Sequence, residues 1–135
     1  MSPFDVSWMT GRHLEVAIVE PAQWIFSLGD SSRVSVECPW RLLHKGKIRV
    51  SSEDHHQKYG LPALMDAAAE ANKLLREARV VNAEVRHETG DLVITCEGDL
   101  RLEVVPFSSG YEAWHISTPQ GKHVLAGGRG ELSAW

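Results

Sequence analysis

The sequence predicts one α+β domain, in which an antiparallel β-rich sheet or partly closed barrel of two meanders carries one central helix. Apolar and polar residues alternate along most of the chain, which is typical of strands with one buried face. Glycine-containing turns separate neighbouring strands and favour antiparallel connections. One segment between the meanders has helical periodicity instead. A length of 135 residues suits a single domain over 1–135.

The first meander is predicted to contain four or five strands. A Gly29-Asp30 turn separates the second strand from the third, and Pro39 precedes a strand pair that turns around Gly46. Residues 1–12 precede the pattern and are expected to form a loose N-terminal segment. The positions predicted to face inward are Leu14, Val16, Ile18, Trp24, Phe26, Leu28, Val34, Val36, Cys38, Trp40, Leu42, Ile48 and Val50.

The helix is predicted to begin near Pro62, a residue that suits the first turn of a helix. Asp66 would complement the positive end of the helix dipole, and Arg76 and Arg79 would lie near the negative end. Small and apolar residues recur at spacings of three and four and would form a stripe that approaches a sheet closely. They are Leu64, Ala68, Ala71, Leu75 and Ala78.

The second meander is predicted to contain another four or five strands. Turns at Thr89-Gly90-Asp91 and Gly98-Asp99 join neighbours as hairpins. The inward positions are Val81, Ala83, Val85, Leu92, Ile94, Cys96, Leu100, Leu102, Val104, Trp114 and Ile116. Val124 and Leu125 predict a short last strand. A flexible glycine turn over 127–130 and a tail that folds back through Leu132 and Trp135 are expected to follow.

Composition narrows the classes of partner and the compartment. With 14 Lys and Arg against 18 Asp and Glu, the formal charge of −4 gives no positive field for a phosphate backbone, so nucleic acid is not an expected partner. No segment approaches the roughly 20 apolar residues of a membrane span. The first ten residues lack the pattern of a secretory signal, so we expect a cytoplasmic protein. Cys38 and Cys96 are then expected to be buried free thiols.

The polar run 51–58 lies between the first meander and the helix, and loops on a rigid scaffold often carry binding sites. It contributes Asp54 and His55 as candidate binding residues. His55 and His56 are neighbours whose side chains are expected to point apart, so no metal site is predicted. The sequence also lacks the common nucleophile, zinc-protease and phosphate-loop motifs, and we predict neither a cofactor nor a catalytic residue.

Three further candidate binding residues are Arg41, Tyr111 and Glu112. Alternation places Glu112 on the face of Trp114, which predicts a partly buried carboxylate. Such a group needs a partner, and Arg41 or Arg101 would serve. A structural ion pair and an acid–base pair of Glu112 with Asp54 both remain open.

Several motifs cover most of the chain from about Trp24 to Trp135. They are PWRL at 39–42, SSEDHHQKYGLP at 51–62, GDL at 90–92 and SSGYEAW at 108–114. Together they resemble small single-domain bacterial proteins of an uncharacterised domain-of-unknown-function family. The resemblance implies a stand-alone bacterial cytoplasmic protein with no assigned activity. Some comparable small α+β proteins are immunity partners of toxins.

Two functions from different classes follow as hypotheses. The first is a non-enzymatic binding module, of immunity type, whose acidic surface binds a basic protein partner. The alternative is a small enzyme or ligand carrier with a pocket near Asp54 and Glu112. A homodimer through Trp8 and Trp135, near the two ends of the sequence, is a third possibility.

Overall fold

A computed structural model describes residues 2–19 and 22–135 and confirms the α+β class. The described residues form two antiparallel sheets and one α-helix, and neither sheet closes into a barrel. The helix is α1 (Ala67–Leu75), and no helix in the described ranges has the length and apolar character needed to cross a bilayer. The strands are β1 (Glu15–Val19), β2 (Gln23–Ser27), β3 (Arg33–Val36), β4 (Trp40–His44), β5 (Lys47–Ser51), β6 (Val80–Val85), β7 (Leu92–Cys96), β8 (Leu100–Val104), β9 (Trp114–Ser117), β10 (His123–Ala126) and β11 (Leu132–Ala134).

Each predicted meander is divided between the two sheets. The larger sheet has the strand order β1-β2-β3-β9-β10-β11, and the smaller has the order β5-β4-β8-β7-β6. The chain changes sheet at Pro39, between β3 and β4, and again over residues 105–113, between β8 and β9. Alternation shows which side chains are buried but not which strands pair, so it did not reveal this division.

The inner faces of the two sheets meet in one core. Trp40 on β4, only 1% exposed, packs edge-to-face against Trp24 and Phe26 on β2, with ring centroids 5.1 and 5.4 Å apart. Edge-to-face aromatic pairs add about 0.5–1.5 kcal/mol each beyond the burial of their area. These contacts therefore join β2 and β4, which belong to different sheets.

Helix α1 begins later than predicted. Asp66 is its N-cap, since its carboxylate accepts a hydrogen bond from the Ala69 backbone N–H at 3.0 Å. Pro62 and Leu64 lie before the helix, and Leu64 is exposed rather than part of the apolar stripe. The buried face consists of Ala67, Ala71 and Leu75. It packs against β1 and β5, which are edge strands of different sheets.

Asn72 on α1 bonds to the outer edge of β1. Its Oδ1 accepts from the Val16 N–H at 2.9 Å, and its Nδ2 donates to the Val16 carbonyl at 2.9 Å. A neighbouring strand would make the same two bonds. The helix is thereby fixed to the larger sheet by hydrogen bonds as well as by apolar packing.

Two residues predicted to face the core are exposed because the strand registers shift. Ile48 pairs with Leu43 while Val50 pairs with Leu42, and Arg49 is the extra residue between them. The shift turns Ile48 to the outer face. A similar irregularity in β6 exposes Val81 and buries Val80 instead.

The N-terminal segment, expected to be loose, contributes to the core. Val6 and Met9 are 1% and 0% exposed. The Gly11 N–H donates to the Val80 carbonyl at 2.8 Å, and the Val80 N–H donates to the Arg12 carbonyl at 2.8 Å. Residues 6–12 therefore cover the first part of the edge strand β6.

The glycine segment near the end of the sequence is packed rather than flexible. Residues 128–130 form a 3-10 turn, and the tail after it forms the additional strand β11. A Cβ on Gly128 would lie 2.7 Å from the Ser109 carbonyl oxygen, and one on Gly130 would clash with the Thr89 backbone. The turn therefore holds two other loops by direct backbone contact.

Candidate functional site

A buried carboxylate is held by two arginines on the outer face of the smaller sheet. Glu103 on β8 is 8% exposed and lies directly opposite Arg41 on β4. Arg41 Nε donates to Glu103 Oε1 at 2.7 Å, and Arg101 Nε lies 3.0 Å from Oε2. Both oxygens are engaged, and the two half-exposed guanidinium groups offset the cost of burying the charge.

Glu112 is not the buried carboxylate that the sequence predicts. Strand β9 begins only at Trp114, so alternation does not extend back to Glu112, which is exposed. Arg41 and Arg101 do hold a carboxylate, but it belongs to Glu103. The signal for Glu103 was its outward position on an alternating strand, and only the pairing of β4 with β8 shows that it faces Arg41.

Arg41 lines an open hollow of about 450 Å³, which we name the Arg41 hollow. It is bordered by strands β4, β5 and β8. Arg86 and Asp91, which follow β6, and the start of the loop after β8 complete its wall. It combines aromatic and aliphatic side chains with charged ones. The lining residues are Pro39, Trp40, Arg41, Ile48, Ser51, Glu53, Arg86, Asp91, Glu103, Val105 and Phe107.

A second hollow of about 240 Å³ adjoins the first and shares Pro39 and Phe107 with it. Two aromatic side chains of the loop over 105–113 are largely in solvent, Phe107 at 79% and Tyr111 at 81% exposed. We name the two hollows together the Phe107 surface. The second is lined by Glu37, Cys38, Pro39, Phe107, Ser108, Tyr111, Glu112 and Ala113.

The Phe107 surface carries an excess of negative charge. Five carboxylates line it against two guanidinium groups, and Arg101, which pairs with Glu103 from outside the surface, brings the formal net charge to −2. The carboxylates are those of Glu37, Glu53, Asp91, Glu103 and Glu112, and the guanidinium groups are those of Arg41 and Arg86. Exposed aromatic rings are thus set among acidic groups.

The Asp54 carboxylate accepts hydrogen bonds from two residues of its own loop. Its Oδ2 accepts from the Ser51 N–H at 2.9 Å, and its Oδ1 accepts from the Tyr59 hydroxyl at 2.9 Å. The bond to the Asp54 carboxylate raises the pKa of Tyr59, because ionised tyrosine could not donate it. Both carboxylate oxygens are used within the loop, as expected of a residue that caps a turn.

His55 supports the start of α1. Its Nδ1 accepts a hydrogen bond from the Ala67 N–H at 3.2 Å, which assigns the ring proton to Nε2. Nε2 is buried and has no hydrogen-bond partner among the described residues, and the ring packs edge-to-face on Trp24 at 5.3 Å. The ring of His56 stacks on His55 at 3.9 Å rather than pointing away, because the positive φ of 65° at His56 turns the backbone.

Four of the five candidate binding residues line three hollows, and Asp54 lines none of the three. Arg41 lines the Arg41 hollow, whereas Tyr111 and Glu112 line the adjoining one. His55 lines a separate groove of about 680 Å³ between β1 and α1. Asp54 and Glu112 share no hollow. Within 2–19 and 22–135, no three His, Cys, Asp or Glu side chains are grouped as metal ligands.

Phe107 is the residue of this surface that sequence analysis missed. It follows Pro106 after a strand, so neither alternation nor helical spacing singles it out. Pro106 cannot donate to a sheet ladder and so marks the end of the strand, but it does not indicate which way the next side chain faces. The exposure of Phe107 depends on the path of residues 105–113 from one sheet to the other, and the sequence does not show this path.

The two cysteines are free, and burial raises their pKa values. Cys38 is half-buried, and desolvation raises its pKa to about 12. Cys96 is buried, and desolvation raises its pKa to about 11. Thiolates are the reactive form, so neither side chain has the character of a nucleophile near neutral pH.

We expect both thiols to react slowly with Ellman's reagent at pH 8. Against an ordinary thiol, the raised pKa values lower the thiolate fraction by about 1000-fold for Cys38 and about 100-fold for Cys96. The rate of thionitrobenzoate release from native protein measures this, with guanidinium-unfolded protein as the fast control. A Cys96→Ser variant that reacts at the unfolded rate would contradict the assignment for Cys38.

Comparison with known proteins gives one match. Residues 5–135 match a family described as a family of unknown function, DUF6188. No curated protein and no solved structure matches the sequence significantly. The match covers nearly all of the described fold, including both sheets, α1 and the Phe107 surface. The chain therefore belongs to the family of unknown function DUF6188.

Proposed function

We propose that this protein is a non-enzymatic binding module that recognises a basic protein partner through the Phe107 surface. The observation that carries the proposal is the exposure of Phe107 and Tyr111, about four-fifths each, on one loop beside acidic hollows. A partner that covers a large aromatic side chain removes much apolar area from water, which makes binding more favourable. Aromatic residues and arginine are also enriched at the centres of protein interfaces.

Rigid support for the loop favours a preformed site. The Arg129 N–H donates to the Ser108 carbonyl at 2.9 Å, and Ser108 Oγ accepts from the Gly110 and Tyr111 N–H groups at 3.0 and 2.9 Å. The close approach of Gly128 to Ser109 adds a direct backbone contact. A loop held in this way loses little conformational entropy when it binds.

The charge of the surface supports a basic partner. A formal net charge of −2 around two exposed rings, with Arg101 included, would attract positive groups and increase the rate of encounter. The chain as a whole has the same sign, with a formal charge of −4.

A binding role also suits the chemistry of the carboxylates. Glu103 has both oxygens engaged by arginines, and Asp54 has both engaged within its loop. The alternative of an enzyme or ligand carrier requires Asp54 and Glu112 to share a pocket, and Asp54 does not line the hollow that Glu112 lines. We therefore favour the binding module.

The finer proposal is an immunity-type protein acting in a bacterial cytoplasm, where the partner is a toxin. Two free cysteines are the usual state of thiols in a reducing compartment. In this form of the proposal, occupation of the Phe107 surface blocks the activity of the captured protein. Its test is added to the binding experiment below.

We expect a Phe107→Ser/Tyr111→Ser double variant to lose the partner. Tagged protein is used to capture a partner from lysate of the source cells at low and high salt. The captured protein is identified, purified and titrated by calorimetry. Loss of an aromatic hot spot costs 2 kcal/mol or more, so affinity should fall by at least about 30-fold. Higher salt should weaken binding of a basic partner further.

The matched control is Leu61→Ser/Leu64→Ser, which removes two exposed apolar side chains away from the Phe107 surface. It should bind as the wild type does. Retention of the same partner by the Phe107→Ser/Tyr111→Ser variant, or capture of acidic proteins only, would reject the proposal. If the partner is a toxin, wild type should inhibit its activity and the variant should not.

A further inference from the structure

We propose that His115 and His123 form a two-histidine binding site for a Cu²⁺ or Ni²⁺ ion on the outer face of the larger sheet. His115 Nε2 and His123 Nδ1 lie 2.9 Å apart, and both side chains are half-buried. Neither residue lines the Phe107 surface, so the proposal is independent of the proposed function. The ion would bind to these two imidazole nitrogens and to water.

The strands place the two rings on one face. His115 on β9 pairs with Leu125, and His123 on β10 pairs with Ser117. The two histidines are therefore diagonal neighbours, and paired residues of an antiparallel ladder point to the same side. β9 and β10 are flanked by β3 and β11, so the backbones that carry the ligands are fixed. Because the backbones are fixed, only the two rings need to reorient when an ion binds.

The separation of the nitrogens is set by their hydrogen bond and is also compatible with one geometry of a bound ion. Two ligands at about 2.0 Å from a metal and 90° apart are about 2.9 Å from each other, as in square-planar or tetragonal complexes. That geometry with nitrogen and oxygen ligands is typical of Cu²⁺ and Ni²⁺. Tetrahedral Zn²⁺ would need the nitrogens to separate to about 3.3 Å. Divalent copper also binds such ligands most strongly among these ions.

Binding requires both rings to reorient. In the structure one ring nitrogen donates a hydrogen bond to the other, so the acceptor lone pair points at the neighbouring N–H. Each ring must turn so that both lone pairs point at the ion. The shared proton moves to the far nitrogen of its own ring, and neither neutral ring loses a proton to solvent.

Trp135 covers the pair and provides a reporter. Its ring lies 4.9 Å from that of His123 at an interplanar angle of 9°, and 5.6 Å from that of His115 at 21°. The Trp135 side chain is 63% exposed. Cu²⁺ and Ni²⁺ quench tryptophan fluorescence at short range, so binding at this pair should quench Trp135 selectively.

The second close histidine pair has a different geometry and serves as the control. His55 and His56 stack face to face, with ring centroids 3.9 Å apart. His55 Nδ1 is occupied by the Ala67 N–H, and its Nε2 is buried. The rings of His115 and His123 are also nearly parallel, at 19°, but their centroids are 5.1 Å apart and two of their nitrogens are in direct contact. His55 has no accessible free nitrogen, so His55 and His56 do not form a bidentate site.

The test is a titration of the purified full chain with CuCl₂ and with NiCl₂, followed by calorimetry and by tryptophan fluorescence. We expect one ion per chain and tighter binding of Cu²⁺ than of ZnCl₂. His115→Gln and His123→Gln should each weaken binding by about 100-fold or more, since even loss of a supporting residue costs 10–100-fold. His56→Gln should bind as the wild type does. Trp135→Phe should keep the calorimetric binding and lose most of the quenching.

Circular dichroism spectra and melting temperatures of each variant show that the fold is retained. The proposal is overturned if His115→Gln and His123→Gln keep wild-type affinity, or if His56→Gln removes it. Quenching that persists in Trp135→Phe would place the ion near another tryptophan and also overturn it.

Discussion

Gly130→Ala is expected to lower the free energy of unfolding by about 3 kcal/mol or more. Gly130 has φ of +73°, in a region that costs L-residues about 1 kcal/mol. A Cβ there would also clash with the backbone of Thr89, and the backbone must move because no flexible side chain is available to yield. Overpacking of this kind adds about 1–3 kcal/mol. Urea denaturation followed by circular dichroism measures the change.

Gly98→Ala is the matched control for this prediction. Gly98 has nearly the same backbone conformation, with φ of +78°, but nothing lies within 4 Å of a Cβ there. It should cost only about 1 kcal/mol, for strain of the backbone alone. Equal costs for the two variants would show that the contact between Gly130 and Thr89 contributes nothing.

Trp114→Ala is expected to cost about 4 kcal/mol, the usual loss for a fully buried aromatic residue. Trp114 is 1% exposed and its Nε1 donates to the Gly90 carbonyl at 2.7 Å. Trp114→Phe should cost about 2 kcal/mol, because it removes the donor and leaves that carbonyl unsatisfied in a buried position. Urea titrations of both variants give the two values.

Trp135→Phe provides the control for Trp114, because it changes an exposed tryptophan on the outer face of the same sheet. Its effect should stay within about 0.5 kcal/mol. If Trp114→Phe is as stable as the wild type, the hydrogen bond to Gly90 has no net value in folding.

The strands were largely predictable because one face of each is buried. Val34, Val36, Leu100 and Leu102 lie between polar residues in the sequence and are buried as alternation requires. The partition into two sheets was not predictable, since pairing of β3 with β9 and of β4 with β8 depends on contacts distant in sequence. The alternating pattern of a strand is the same in either sheet, so it does not show to which sheet the strand belongs.

Local irregularities account for the remaining errors in the fold. Ile48 and Val81 follow the alternating pattern in sequence, but shifts of register turn them outward. The glycine segment over 127–130 appears as a turn in sequence, whereas its packing depends on backbone atoms of Ser109 and Thr89. The sequence does not show which backbone segments lie against each other.

The candidate site was predictable in part. Of the five candidate residues, Arg41, Tyr111 and Glu112 line the Phe107 surface, whereas Asp54 and His55 do not. The choice of carboxylate was wrong because Glu103 is more than 60 positions from Arg41 and meets it only across two strands. Asp54 and His55 have structural contacts that explain their presence without a ligand.

The amide of Asn72 affects whether strand β1 can pair with a strand of a second molecule. An uncovered strand edge is a template on which second molecules add and fibrils grow. At Val16 both edge groups are already taken by Asn72, so a foreign strand finds no partner there. This protection of Val16 lasts only while α1 is folded. The tendency of the protein to aggregate through β1 therefore depends on the stability of a helix of nine residues.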